Sequence, residues 1–240
     1  MNDFVFTPAP QPSLPVVGSQ QRFPVGRVFC VGRNYPWSDG QPRTAPLFFM
    51  KPASAVIEAH GEIAYPPHTE EFCHEIELVV AIGSGGADIP EGQALAHVWG
   101  YAAGLDLTRR DLQRAAKQAG LPWEGAKAFD GSAPVSAIQP VGDQGHPQRG
   151  AVWLQVNGTE RQRSYLQSQL WSVAQLISQL SATITLLPGD LIMTGTPEGV
   201  AALQPGDLIS AGVDGVGQIE VRVAPRAAPT EHFQRETQHD

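Results

Sequence analysis

Glu75 and Glu77 stand two residues apart at the start of an apolar run, His74-Glu75-Ile76-Glu77-Leu78-Val79-Val80-Ala81-Ile82. The run 76–82 has the length and composition of a buried strand. Side chains alternate along a strand, so Glu75 and Glu77 share one face, about 7 Å apart along the chain, and His74 faces the other way. Two carboxylates entering an apolar face repel each other and are costly to bury without a counter-charge. Water at a sheet edge or arginines could meet them; a divalent metal could too, because hard cations take carboxylate oxygens. A third carboxylate, Asp106, ends the apolar run 98–107, where a strand hands over to a helix. Three carboxylates leave room on a six-coordinate ion for water and a bidentate ligand. Beyond Asp106, helical spacing puts Arg110 and Gln113 on one side and turns Arg109 away. A solvated helix face is the plain reading for at least one of these two arginines. Lys127, in Trp123-Glu124-Gly125-Ala126-Lys127-Ala128-Phe129, has small and aromatic neighbours that suit a partly desolvated amine or a snorkelling one.

Other short strands must frame these residues. Apolar runs at 27–31, 47–50 and 216–223 read as strands, and 151–156, Asn157-Gly158, 159–163 reads as a hairpin on a type I′ turn. Thr108 and Asp111 suggest a capping-box variant opening a helix. Its apolar stripe would be Leu112, Ala115, Ala116 and Ala119, ended by Gly120 and Pro122. A second helix is expected over 171–180, with Val173, Ala174, Ile177 and Leu180 inward. Pro188-Gly189-Asp190-Leu191-Ile192 recurs as Pro205-Gly206-Asp207-Leu208-Ile209, two Pro-Gly turns that each feed a strand. The 25 glycines and 21 prolines favour a β-rich architecture with few helices. The expected organisation is an extended Pro-rich arm over 1–22, one domain over 23–225, and a polar, disordered tail over 226–240.

The formal charge of −8 over 240 residues argues against nucleic acid or an anionic membrane surface as a partner. No apolar run approaches the ~18 residues of a membrane span, and the first residues lack the pattern of a signal peptide. With only Cys30 and Cys73 present, a disulfide framework is not expected and a cytoplasmic setting is.

In order along the chain, six blocks resemble the fumarylacetoacetate hydrolase family: Gly32-Arg33-Asn34-Tyr35, Phe48-Phe49-Met50-Lys51-Pro52, His74-Glu75-Ile76-Glu77-Leu78, Gly104-Leu105-Asp106-Leu107-Thr108, Gly120-Leu121-Pro122-Trp123 through Lys127, and Thr194-Gly195-Thr196-Pro197-Glu198-Gly199-Val200. The similarity is greatest to the acylpyruvate and fumarylpyruvate hydrolases. The resemblance implies an α+β, β-rich fold, a mixed β-roll or sandwich of the family's C-terminal-domain type with a few short helices, assembled as a homodimer. It implies a Mg²⁺ or Mn²⁺ ion held by Glu75, Glu77 and Asp106. Lys127 and Gln113 would stabilise the oxyanion, and Arg110, Thr196, Arg33 and Asn34 would bind a small oxo-acid. The reaction implied is hydrolytic C–C cleavage of β-diketo acids, in which a base-activated water attacks the distal carbonyl.

One departure bears on that chemistry. Where the family's hydrolases carry a His-Glu dyad, four and seven residues after the Asn of the Asn-Tyr pair, this chain has Ser38 and Gln41. The loop 36–46 is also short, and Pro36 and Asp39-Gly40 suit a helix poorly. Asp39, His60, His68 and His74 are poor substitutes for the missing base. Decarboxylation or isomerisation of a related oxo-diacid does not need that dyad. Neither does a non-catalytic protein that binds metal and oxo-acid.

Overall fold

The computed structural model describes residues 4–36, 43–142 and 145–226. Two sheets carry the architecture. The larger has eight strands, seven of them in the order Leu47–Pro52, Arg27–Gly32, Leu191–Met193, Ile76–Ile82, Val98–Leu105, Ala133–Val135, Val56–Glu58, with Gln139–Pro140 also pairing Val98–Leu105. It is mixed: Leu191–Met193 runs parallel to Arg27–Gly32, whereas Ile76–Ile82 is antiparallel to both of its neighbours. The smaller sheet orders Thr159–Tyr165, Ala151–Val156, Leu208–Val213, Gly217–Val223 and His60–Ile63. Helices are few and short, chiefly Arg110–Gln118 and Val173–Ser181. Among the described residues, no helix is long and apolar enough to cross a membrane. This is the β-rich, mixed-sheet arrangement expected.

Ile76–Ile82 is buried on both faces, and its alternation explains how. Ile76, Leu78, Val80 and Ile82 join Val152, Leu154, Ile209, Ala211 and Val221 in the core between the two sheets. Val79 and Ala81 face the opposite way, into a second cluster with Val28, Cys30, Leu191 and Met193. Leu14 and Phe23 cover that cluster, from the antiparallel pair Ser13–Pro15 and Arg22–Pro24. The segment expected to be an extended arm to residue 22 therefore folds back, because its apolar residues find a sheet face to cover.

The hairpin falls where its turn residues put it, with Asn157 at φ 52° and Gly158 at φ 75°. In the two Pro-Gly turns, the amides of Asp190 and Asp207 donate to the carbonyls of Leu187 and Gln204. Each aspartate's carboxylate in turn accepts from the amide of that same residue, at 2.7 Å in both. The helix Val173–Ser181 opens on a full capping box between Ser172 and Gln175, and it buries Leu176, Ile177 and Leu180.

The helix Arg110–Gln118 departs from expectation. Leu112, Ala115 and Ala119, assigned to its buried stripe, are exposed, and Gln113 is its buried residue. The helix turns a polar face inward because what it covers is a charged pocket. Neither Thr108 nor Asp111 caps it. Thr108 Oγ1 donates to Glu75, and Asp111 accepts from Thr69 Oγ1 and from the amides of Glu70 and Leu112. The arginines are not a solvated face either: Arg109 lies over the Phe129 ring at 4.4 Å, and Arg110 pairs with Glu75. Residues 37–42, with Ser38, Asp39 and Gln41, lie outside the described residues, as does the tail beyond 226 with His232 and His239.

Candidate active site

Three backbone links bring the carboxylates together. Asp106, one residue past the end of Val98–Leu105, donates its amide to the Glu75 carbonyl at 2.8 Å. Glu77 lies opposite Gly104 in the same strand pair. From the far side, the loop after Leu191–Met193 is tied to the Glu strand. The Thr194 amide donates to Leu78 O, the Gly195 amide to Glu77 Oε2 at 2.6 Å, and Thr196 Oγ1 to Ile76 O. Gly195 holds φ +99°, and a Cβ there would lie 2.7 Å from the Asn34 Cβ, so this donor position requires glycine. As a result Glu75, Glu77 and Asp106, all buried, place carboxylate oxygens within 4.8 Å of one another. His74 turns to the other face, where Nδ1 meets Gln162 Oε1 at 2.9 Å. Burial lowers its pKa.

Two ammonium groups compensate the carboxylates. Lys127 Nζ donates to Asp106 Oδ2 at 2.6 Å and to Glu75 Oε2 at 3.0 Å. Lys51, among the most completely buried side chains, stands 2.9 Å from Asp106 Oδ1 and donates to the carbonyls of Leu107 and Lys127. The short Ile-free run Leu47–Pro52 hides this lysine inside the sheet, where no sequence pattern assigned it a role. Arg110 Nη2 reaches Glu75 Oε1 at 2.6 Å, and its Nη1 donates to Gln113 Oε1.

The electrostatics follow. Burial, reinforced by the charges of Asp106 and Glu75, pushes Glu77 well above the usual carboxylate range. Burial acts the same way on Asp106, but Lys127 and Lys51 outweigh it and hold that carboxyl low. Lys127 is desolvated, which alone would lower its pKa, yet Asp106 and Glu75 raise it.

A divalent ion fits this arrangement. The ligand atoms are hard oxygens at a spacing one ion can span. Asp106 Oδ1 is buried, with the Lys51 ammonium 2.9 Å away as its ion-pair partner and no further hydrogen-bond donor among the described residues, so it has a lone pair to offer an ion. Burial, with the repulsion from Asp106 and Glu75 added to it, raises Glu77, and a cation among the three carboxylates would offset both.

Above the carboxylates opens a cavity of about 410 Å³. Arg33, Arg110, Gln113, Lys117, Lys127 and Thr196 supply its polar wall, and Phe49 and Trp123 are prominent in its apolar wall. Of the residues expected to bind substrate, Asn34 is not in that wall. It is fully buried, accepting from the Trp171 amide at 2.7 Å and donating to the carbonyls of Trp171 and Thr194, and so braces the loop that carries Gly195. Lys51, Lys117 and the Gly195 amide are the site groups that the sequence did not single out.

Comparison with known proteins gives a consistent picture. The family model described as fumarylacetoacetate (FAA) hydrolase C-terminal matches residues 27–224. A solved fumarylpyruvate hydrolase from Pseudomonas aeruginosa, in complex with Mn²⁺ and pyruvate, is 49% identical with a TM-score of 0.89, covering 92% of this chain and 99% of its own. A Ralstonia fumarylpyruvate hydrolase is 43% identical over 75% of this chain and 93% of its length. The mitochondrial oxaloacetate tautomerase FAHD1 of Arabidopsis thaliana is 38% identical over 88% of this chain and 96% of its length.

Proposed function

The chain belongs to the fumarylacetoacetate hydrolase family, and on that premise we propose that it is a Mg²⁺- or Mn²⁺-dependent hydrolase of acylpyruvate-type β-diketo acids, with fumarylpyruvate as its model substrate. The observation that carries this reading is the buried triad Glu75, Glu77, Asp106 at the foot of a cavity lined by Lys127, Gln113 and Arg110. A Pseudomonas aeruginosa fumarylpyruvate hydrolase with Mn²⁺ and pyruvate is among its structural neighbours.

The bound ion supplies Lewis-acid polarisation of an oxo-acid. The protein's own groups do the rest. Lys127 keeps an ammonium beside Asp106 and Glu75, positioned to stabilise negative charge that develops on an attacked carbonyl oxygen. Gln113 is oriented by Arg110 through Oε1, which turns its amide NH₂ to the same task. In the balanced reaction, water delivers hydroxide to the acyl carbon, the C–C bond breaks, and its electron pair is protonated on the pyruvate carbon.

The second reading is tautomerisation or decarboxylation of a related oxo-diacid. One observation favours it: no imidazole lines the described cavity, His74 faces away from it, and Ser38 and Gln41 occupy the dyad positions. Oxaloacetate tautomerases among the relatives support it. Turnover of fumarylpyruvate with Mg²⁺ or Mn²⁺, with products identified, decides between them. Release of fumarate and pyruvate is expected. Loss of CO₂ alone would make the protein a decarboxylase, and keto–enol exchange alone a tautomerase. No turnover with tight oxalate binding would make it a non-catalytic binder.

A further inference from the structure

Thr196 stands in the cavity wall and Gln162 does not, yet the two are joined. Gln162 lies on Thr159–Tyr165, the edge strand of the smaller sheet, and is that strand's one buried residue, 1% exposed. A buried glutamine must find partners for two N–H donors and two oxygen lone pairs, and this one finds all four. Its Oε1 accepts from the Ile76 amide at 3.2 Å and meets His74 Nδ1 at 2.9 Å. Its Nε2 donates to Thr196 Oγ1 at 2.9 Å and to the Pro197 carbonyl at 2.8 Å. The Ile76 amide can only donate and the Pro197 carbonyl can only accept, so the Gln162 amide has a single orientation.

These bonds stand in for a stretch of strand. Leu191–Met193 pairs antiparallel with the Glu strand, Met193 opposite Val79, and the same register carried on would set Thr196 opposite Ile76. The chain turns away first. Once the Thr194 amide has met the Leu78 carbonyl, Gly195 at φ +99° leaves the ladder. Ile76, the residue between Glu75 and Glu77, is then met by side chains: its amide by Gln162 Oε1, its carbonyl by Thr196 Oγ1 at 2.8 Å. Thr196 Oγ1 is therefore fixed twice, donating to Ile76 and accepting from Gln162. The same Gln162 amide holds Pro197, and a Cβ on Gly199 would run into the Arg161 carbonyl, so the turn lies directly on the strand that carries Gln162.

We propose that Gln162 is a positioning residue of this site. It acts through Thr196, holding that side chain and the turn 195–197 in the conformation that meets the ligand, so that binding does not have to order them. The inference rests on the oxo-acid reading of the cavity and adds a residue outside the cavity that sets one of its walls.

The test is a double-variant cycle read by calorimetry, with pyruvate titrated into the full-length protein at saturating Mn²⁺. Gln162→Met and Thr196→Val should each weaken pyruvate binding by about tenfold, the scale of one or two net hydrogen bonds. The double variant should bind no more than about twofold more weakly than the weaker single one, since both changes release the same turn. Thr196→Ser, which keeps the hydroxyl, should bind as the wild type does. Gln162→Glu keeps the acceptor for Ile76 and His74 and changes only the group facing Thr196 and Pro197, so it carries the test if Gln162→Met fails to fold. Two results overturn the proposal while leaving the oxo-acid reading standing: a Gln162 variant with a lowered melting temperature but unchanged pyruvate affinity, or single effects that multiply in the double variant. Failure of the wild type to bind pyruvate overturns the oxo-acid reading and the positioning role with it.

Discussion

Lys51→Met is the most demanding test of how the carboxylates are held. Methionine keeps the length of the apolar stem and removes the ammonium. Three contacts then go: the ion pair to Asp106 Oδ1 at 2.9 Å and the hydrogen bonds to the carbonyls of Leu107 and Lys127. Stripping one partner from a buried charge pair costs about 3–5 kcal/mol, because the remaining charge is left uncompensated. Against a typical total of about 5–15 kcal/mol that loss is severe. The metal should repair much of it. Asp106 keeps its bond to Lys127 and its amide keeps the Glu75 carbonyl, so the ligand oxygens stay in place. Removing one positive charge from beside them should tighten divalent binding by at least about tenfold. Urea unfolding in EDTA should show the variant about 3–5 kcal/mol below wild type. Saturating Mn²⁺ should narrow that gap, since an ion that binds only the native state stabilises in proportion to its affinity. A metal-free loss under about 1 kcal/mol, or Mn²⁺ affinity that weakens in the variant, would refute the view that Lys51 acts as an internal counter-cation.

Three further predictions address the same centre. Glu77→Ala should abolish Mn²⁺ binding in calorimetry while the circular dichroism of the fold persists; unchanged affinity would falsify the ligand assignment. With the Glu77 pKa raised, the metal-free native state binds its proton more tightly than the unfolded chain does, so this group's contribution to stability falls as pH rises above the ordinary glutamate value of 4.5. His74, with its lowered pKa, tilts stability the opposite way below 6.5. The informative quantity is therefore the difference in pH slope between metal-free wild type and metal-free Glu77→Gln between about pH 5 and 7, and the wild-type contribution should flatten when Mn²⁺ is bound; identical slopes in metal-free protein would sink the claim. Ser38→His combined with Gln41→Glu should raise fumarylpyruvate hydrolysis by up to about 10²–10⁴-fold, the usual worth of a positioned base. No increase would show that the short loop lacks the geometry as well as the residues.

What the sequence could disclose followed from whether a residue's environment is set by its neighbours along the chain. Alternation placed Glu75 and Glu77 together and His74 opposite, and Asn157-Gly158 fixed the hairpin, because both depend on backbone geometry within a few residues. The helix Arg110–Gln118 misled for the same reason: periodicity locates an apolar stripe but cannot say what the helix lies against, and here the partner is a charged cavity. Asn34 was recognisable as a motif residue, yet its bonds run to Trp171 and Thr194, some 140–160 residues away, and only the assembled fold shows that it braces the Gly195 loop. Lys51 is the clearest case. A lone lysine in a short strand gives no local sign that its charge belongs to a carboxylate 55 residues on. In the fold it is one of two ammoniums on Asp106, and this doubled compensation is what lets a carboxylate stay ionised in a fully buried position where Glu77, without such a partner, is pushed toward its neutral form. The triad is therefore asymmetric before any metal arrives: two ammoniums favour the ionised form of Asp106, whereas burial and its carboxylate neighbours disfavour that of Glu77.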